Sequence, residues 1–390
     1  MVYLRDPEGF CKDEIGVPVP SFQLMVLMDG TLSAEELCEA YQERTGATIE
    51  RSQVDDLLRS LDDALLLDSE RFRQHRMARI QDYRAASVRP AAHAGASYPD
   101  DPTELRLMID GFFTDPGGPG VPEQPNGAVL NGLVAPHVDF GRGGPAFAWA
   151  YRQLAEAARA DVYVVLGTGH QSRALYTTSK KTFETPFGPL AADARLIDAI
   201  EARTSADLFA DEYAHKSEHS IEFQAVFLKY LFPDDDITFV PILCGSFHEA
   251  VDADASPVDL PGVSEMVGAL RGAIEAENRA ITLISGVDFS HVGRQFGDEE
   301  VLDDDFVARV ERADHDLIEA AKGGDPEAFF ACIRKEGDRN RVCGTSSIYT
   351  MLKVLDGTAD GELLKYDHAI DEDRNSLVSF ASLAFGRAGD

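Results

Sequence analysis

The chain has 390 residues, with 36 lysines and arginines against 68 aspartates and glutamates, for a formal net charge of -32. That length accommodates a large α/β domain and a smaller one, with a core that needs no disulfide or metal staple, so any metal would serve chemistry. The acid surplus argues against nucleic acid as a partner, because phosphate binding rests on Lys and Arg, and no apolar run reaches the roughly 20 residues of a bilayer span.

Residues 1–85 read as a small, mostly helical unit. Arg5, Asp6 and Glu8 interrupt the N-terminus where a signal peptide would need an apolar run, and five cysteines (Cys11, Cys38, Cys244, Cys332, Cys343) lack paired spacing. Both features lead us to expect a cytoplasmic protein with reduced thiols. The apolar run 22–28 ends at the turn Asp29-Gly30, and Ser33 with Glu36 predicts a capping box that opens a helix. A second amphipathic segment spans 52–61, and Leu65-Leu66-Leu67 suits a strand or a helix end. Two helices and a small wing resemble a winged-helix module, or the small peptide-binding domains of radical-enzyme maturation systems. Arg71, Arg73, Arg76 and Arg79 form a basic island, read as a solvated connecting helix.

From residue 86 to 390 strands and helices alternate. Asp115-Pro116-Gly117-Gly118-Pro119-Gly120 must be a loop. The pattern then predicts strand 129–137, helix 145–159, strand 161–167, helix 194–203, helix 220–231, strand 237–244, helix 263–277 and strand 280–287. Helices 299–322, 325–335 and 345–355 follow, then strands 362–366 and 376–385. This order defines an α/β fold with a mainly parallel central sheet and helices on both faces.

Three of the apolar runs end in histidine: Ala135-Pro136-His137, Leu166-Gly167-Thr168-Gly169-His170 and Asp288-Phe289-Ser290-His291. Carboxyl ends of buried parallel strands face the ligand crevice, so these imidazoles can converge to bind a transition metal or move a proton. Asp139 sits two residues beyond His137, a spacing that suits either a metal carboxylate or a surface pair. The glycines before His170 permit close backbone approach, but no Walker lysine follows. Asp288 could orient His291 as a general base, or cap a helix. Glu218-His219-Ser220-Ile221-Glu222 opens an apolar helix; its acids suit the helix dipole, and His219, with His215 behind it, is a candidate pocket residue. Cys343 precedes a helix whose N-terminus would favour the thiolate, with strand-ending Cys244 as its rival ligand.

These motifs, with His93-Ala94-Gly95-Ala96-Ser97-Tyr98, Val240-Pro241-Ile242-Leu243 and Cys343-Gly344, resemble the Memo family, whose bacterial branch is called AmmeMemoRadiSam system protein B. The resemblance covers roughly residues 88–386. It implies the fold of the class III extradiol dioxygenases, with His137, His170 and Cys343 as metal ligands, Asp288 and His291 beside them, and His219 lining the pocket. Two departures stand out. The family's His-Ala-Gly-Tyr is here His137-Val138-Asp139-Phe140, and its Cys-Gly-Arg-His-Pro is Cys343-Gly344-Thr345-Ser346-Ser347. The expectation is a metal-binding redox enzyme using iron, with copper or zinc as alternatives, acting on dioxygen or a small organic substrate. The competing expectation is a non-catalytic component that binds a small molecule or peptide and docks a radical S-adenosylmethionine enzyme. A zinc hydrolase is a third reading, without a His-Glu-x-x-His motif to support it.

Overall fold

The structure, a computed structural model, describes residues 1–6, 8–11, 14–234, 236–357 and 360–386. Residues 1–85 form one compact unit and residues 86–390 another. In the first, strands β1 (Val2–Leu4) and β2 (Ile15–Val17) pair antiparallel, and four helices follow: α1 (Val19–Met25), α2 (Ala34–Thr45), α3 (Arg51–Asp63) and α4 (Glu70–Ala85). Ser33 accepts from the Glu36 N–H while the Glu36 carboxylate accepts from Ser33, so the expected capping box forms. Leu24, Leu37, Tyr41 and Val54 make this unit's small core. No strand forms at 65–67; the chain leaves α3 with Leu65 in the left-handed region, at φ 61°. The two strands of this unit precede its helices.

The second unit continues with β3 (Val88–Arg89), α5 (Pro102–Thr114), β4 (Leu130–Ala135), α6 (Phe140–Glu156), β5 (Val162–Thr168), β6 (Tyr176–Thr178), β7 (Thr182–Phe183) and β8 (Ala191–Ala192). Next come α7 (Ala194–Glu201), α8 (His219–Leu231), β9 (Thr238–Cys244), α9 (His248–Asp252), α10 (Val263–Glu275), β10 (Ile281–Gly286) and β11 (His291–Gly293). The chain closes with α11 (Asp304–Lys322), α12 (Pro326–Lys335), α13 (Thr345–Leu355), β12 (Asp360–Asp371) and β13 (Ser376–Gly386).

The central sheet runs β11-β13-β4-β10-β5-β9-β6, with β12 on β13 and β8 on β9. Its middle four strands, β4, β10, β5 and β9, are parallel, while β13 and β6 close the two sides antiparallel. The sheet is therefore mixed, with a parallel heart. Side chains alternate along each strand, and both faces are covered. Val164, Leu166, Val240, Ile242 and Leu283 enter one core with α7, α10 and α13; Tyr163, Val165, Phe239, Leu243 and Ile284 enter the other with α5, α6 and α8. On the second face Phe227 stacks between Phe147 and Tyr151, with ring centroids 4.9 and 4.6 Å away. A buried aromatic of this kind stabilises by about 3–5 kcal/mol relative to alanine.

Several elements differ from the sequence expectation: the short β3, β6, β7, β8, β11 and α9 lie outside the expected elements, and the strand expected at 362–366 runs Asp360–Asp371. The helix expected from 145 starts at Phe140, because Asp139 accepts from the Arg142 N–H and Pro145 falls in the early turns. The helix expected from 299 starts at Asp304, capped by Asp303. Helix α5 has no counterpart among the expected elements, although Asp101 caps it and proline occupies its first position.

Candidate metal centre

Four parallel strands end on one rim, and the loops leaving them carry the candidate residues. His137 follows β4, His170 follows β5, Asp288 follows β10, and Cys343 precedes α13. Helix α8 approaches from the opposite face with Glu218 as its cap and His219 as its first residue. It comes this close because glycine occupies the next-to-last position of β5, Gly167, and the last of β10, Gly286. A Cβ on Gly167 would lie 2.6 Å from the Ser220 hydroxyl oxygen, and one on Gly286 would lie 2.5 Å from the Ser220 carbonyl.

The result is a knot of three imidazoles. The ring centroids of His137 and His170 are 4.9 Å apart, those of His137 and His219 are 4.9 Å apart, and those of His170 and His219 are 4.8 Å apart. Cys343 Sγ lies 3.4 Å from His137 Nε2. His137, His170 and Cys343 can each present one ligand atom such that all three atoms lie within 4.8 Å of one another; His170, Glu218 and His219 form a second such group.

The hydrogen bonds around these rings decide which nitrogens remain available. His137 Nδ1 lies 3.0 Å from the Gly286 carbonyl, an acceptor only, so Nδ1 carries the proton and donates. His170 Nδ1 lies 3.0 Å from Glu218 Oε1 and donates in the same way. In the neutral form of each ring the lone pair therefore sits on Nε2. Metal-bound histidines are usually held like this, with the second nitrogen donating to a carbonyl or carboxylate. Two imidazole nitrogens and one sulfur form a donor set suited to iron, copper or zinc.

Electrostatics sets the charge of each group. Burial lowers the pKa of His137 and of His219, so both rings are neutral. Burial also opposes a charge on His170, but Glu218 prevails and holds that imidazole above its ordinary value. Burial would likewise raise Glu218, yet His170, His219 and the Ser220 N–H keep its carboxyl well below the usual range. Asp288 is raised by burial despite accepting from the His137 and Val138 N–H groups at 2.9 and 3.1 Å. Burial lowers His291, against the pull of Asp288. Cys343 is pushed well above the ordinary thiol value by burial, so the nearby helix N-terminus does not by itself make a thiolate; a bound cation would.

Several expectations are refined. Asp288 caps no helix: it fastens the loop after β4, and its other oxygen stands 3.6 Å from His137 Nε2. The ring of His291 is held instead by the Phe289 carbonyl, 3.1 Å from Nδ1. Asp139 turns away to cap α6 and pair with Arg142. Cys244 is buried, its thiol pushed up to about 12, and lies outside both ligand groups. His215 packs under β6, with Nε2 3.2 Å from the Thr177 carbonyl. Glu218 is the functional residue that sequence reasoning misses, because the helix dipole already accounts for an acid at that position.

Beside the knot opens a cavity of about 860 Å³, lined by His93, His137, His170, His219, Asp288 and His291, with Phe223, Phe296 and the turn 370–374. Its floor rests on a buried ion pair. Arg89 donates to Glu222, to the His215 carbonyl at 2.8 Å and to the Glu218 carbonyl at 2.9 Å. Glu222 also accepts from Tyr98 and from the Ala92 and His93 N–H groups.

The fold is a mixed sheet covered by helices on both faces, with histidines and a cysteine gathered at its carboxyl rim as a candidate metal-binding group. The family model for Memo-like proteins matches residues 89–384, and the chain belongs to that family. A MEMO1 family protein of Aquifex aeolicus is 28% identical over 385 residues, covering 98% of this chain and 95% of its own. Another from Methanopyrus kandleri is 30% identical over 308 residues, covering 77% of this chain and 99% of its own. The first alignment is long enough to take in most of residues 1–85; the second is about the length of the second unit alone. The crystal structure of an uncharacterized protein from Escherichia coli K12 aligns with 66% of this chain and 100% of its own, at 14% identity and a TM-score of 0.36. Among the described residues no helix is long and apolar enough to cross a membrane.

Proposed function

We propose that this chain is a metal-dependent redox enzyme that holds one iron or copper ion on His137, His170 and Cys343. The observation that carries this reading is the hydrogen bonding of the two histidines, which spends both Nδ1 protons and leaves Nε2 of each neutral ring as its lone-pair nitrogen, that of His137 3.4 Å from the sulfur. Such an ion, with a coordination position left open, supplies the binding and activation of dioxygen or of a phenolic or other small organic molecule.

The protein's own residues divide the remaining work. Glu218 fixes the His170 ring and increases its basicity. Asp288 holds the loop bearing His137 in place. His291, kept neutral by burial and with Nδ1 tied to Phe289, has Nε2 left to accept a proton from a substrate in the large cavity. His219 and Phe223 line the large cavity and offer ring surfaces that an aromatic substrate can contact.

Metal analysis of the purified protein, before and after anaerobic reconstitution, tests this together with oxygen uptake. Iron or copper near one per chain that disappears in His137→Ala supports the reading. No iron or copper above background sinks it, and zinc alone would shift the reading to a hydrolase.

The compact unit formed by residues 1–85 favours a second role, docking a partner such as a radical S-adenosylmethionine enzyme. A partner captured by the full chain and by His137→Ala, but not after deletion of residues 1–85, is the expected result for that role.

A further inference from the structure

We infer that the metal group has a second entrance, a narrow cavity that admits a small, uncharged molecule of the size of dioxygen to the sulfur side while the organic substrate occupies the large cavity. A space of about 270 Å³ lies beyond the wall formed by His170 and Cys343. His170 lines both cavities; His137 lines only the large one, and Cys343 only the small one. The three candidate ligands thus form a partition. Cys343 lies deep among protein atoms yet retains partial accessibility, and the small cavity is where that accessible surface faces.

The lining of the small cavity matches a small neutral visitor. Cys244, Phe247, Val251 and Val342 give it apolar walls, and at about 270 Å³ it is much smaller than the large cavity of about 860 Å³. Ser346, only 5% exposed, also lines this space. Of the ionisable groups in this lining, Arg341 is paired with Asp298, His248 with Asp252, and Asp338 accepts from the Val342 N–H.

The use of this entrance for dioxygen rests on the redox reading above, but the entrance itself does not, and it is tested on metal-free protein. The probe is methyl methanethiosulfonate: the Cys343 sulfur, its proton lost to solvent, forms a disulfide with the methylthio group and methanesulfinate leaves. The rate at Cys343 is followed by peptide mass mapping, which separates it from the other cysteines. Ser246, at the exposed mouth of the small cavity, is replaced by tryptophan, and Ser97, on the large cavity, by tryptophan in a second variant. Labelling of Cys343 should fall about tenfold or more in Ser246→Trp and stay near the parent rate in Ser97→Trp, because access controls the reaction of a buried thiol. Ser346→Phe should block as Ser246→Trp does, and equal unfolding midpoints show that all three variants are folded. Slowing in Ser97→Trp alone, or no slowing in Ser246→Trp, overturns the second entrance whatever metal the protein binds.

Discussion

Cys343 Sγ and His137 Nε2, 206 residues apart in the chain, lie 3.4 Å from each other at the rim of the sheet. Each is brought there by a different segment, and Asp288 stands beside both, its carbonyl 3.4 Å from the sulfur and its carboxylate 3.6 Å from the nitrogen. Cobalt substitution should therefore give a sulfur-to-metal charge-transfer absorbance in the parent protein. The same titration of Cys343→Ser should lose that band, and a band that persists would remove Cys343 from the ligand set.

Glu218→Gln keeps the shape of the carboxylate but removes its charge and one acceptor oxygen from His170. Metal affinity should drop about 10–100-fold, the usual cost of disturbing a group behind a ligand. Competition with a chromophoric chelator measures it. Unchanged affinity would mean that His170 does not depend on Glu218 for its orientation.

The Arg89–Glu222 pair is fully buried and ties β3, the His93 loop and α8 together. Removing one partner strands a charge in the core, so Arg89→Met should destabilise the second unit by about 3–5 kcal/mol. Denaturant unfolding provides the number. Replacing both residues with apolar ones should recover part of that loss, since the penalty lies in the unpaired charge.

His215 is buried and neutral, and burial pushes its pKa down to about 4 from an ordinary 6.5. The folded protein therefore binds this proton more weakly than the unfolded chain does. Its contribution is complete above pH 6.5 and is lost as pH falls from 6.5 toward 4, amounting to about 3 kcal/mol. Unfolding free energies measured across that window should slope downward toward acid. His215→Gln should flatten the slope, and a slope unaltered by that change would assign the acid sensitivity to other groups.

The histidines at strand ends are legible in the sequence because a buried parallel strand must be apolar until it leaves the sheet, so the first polar residue marks the rim. The alternation of strands and helices from 130 onward is equally plain. What stays hidden depends on contacts between distant segments. Glu218 looks like any acid at a helix start until His170, 48 residues away, folds onto it. The Asp288-to-His291 spacing suggests a local pair, but the strand register sends the Asp288 carboxylate across to the neighbouring loop. Strands β6, β8 and β11 have two or three residues each, too few to show a period.

The bare backbone at Gly167 and Gly286 has one more implication. Helix α8 can deliver a carboxylate and an imidazole to the rim only because the sheet beneath its first turn is flat there, so a single methyl at either glycine would wedge the helix outward. Alanine at either position should disperse the three clustered imidazoles while leaving the strands themselves intact. The architecture thus stores the positioning of its most reactive corner in two residues that have no side chain at all.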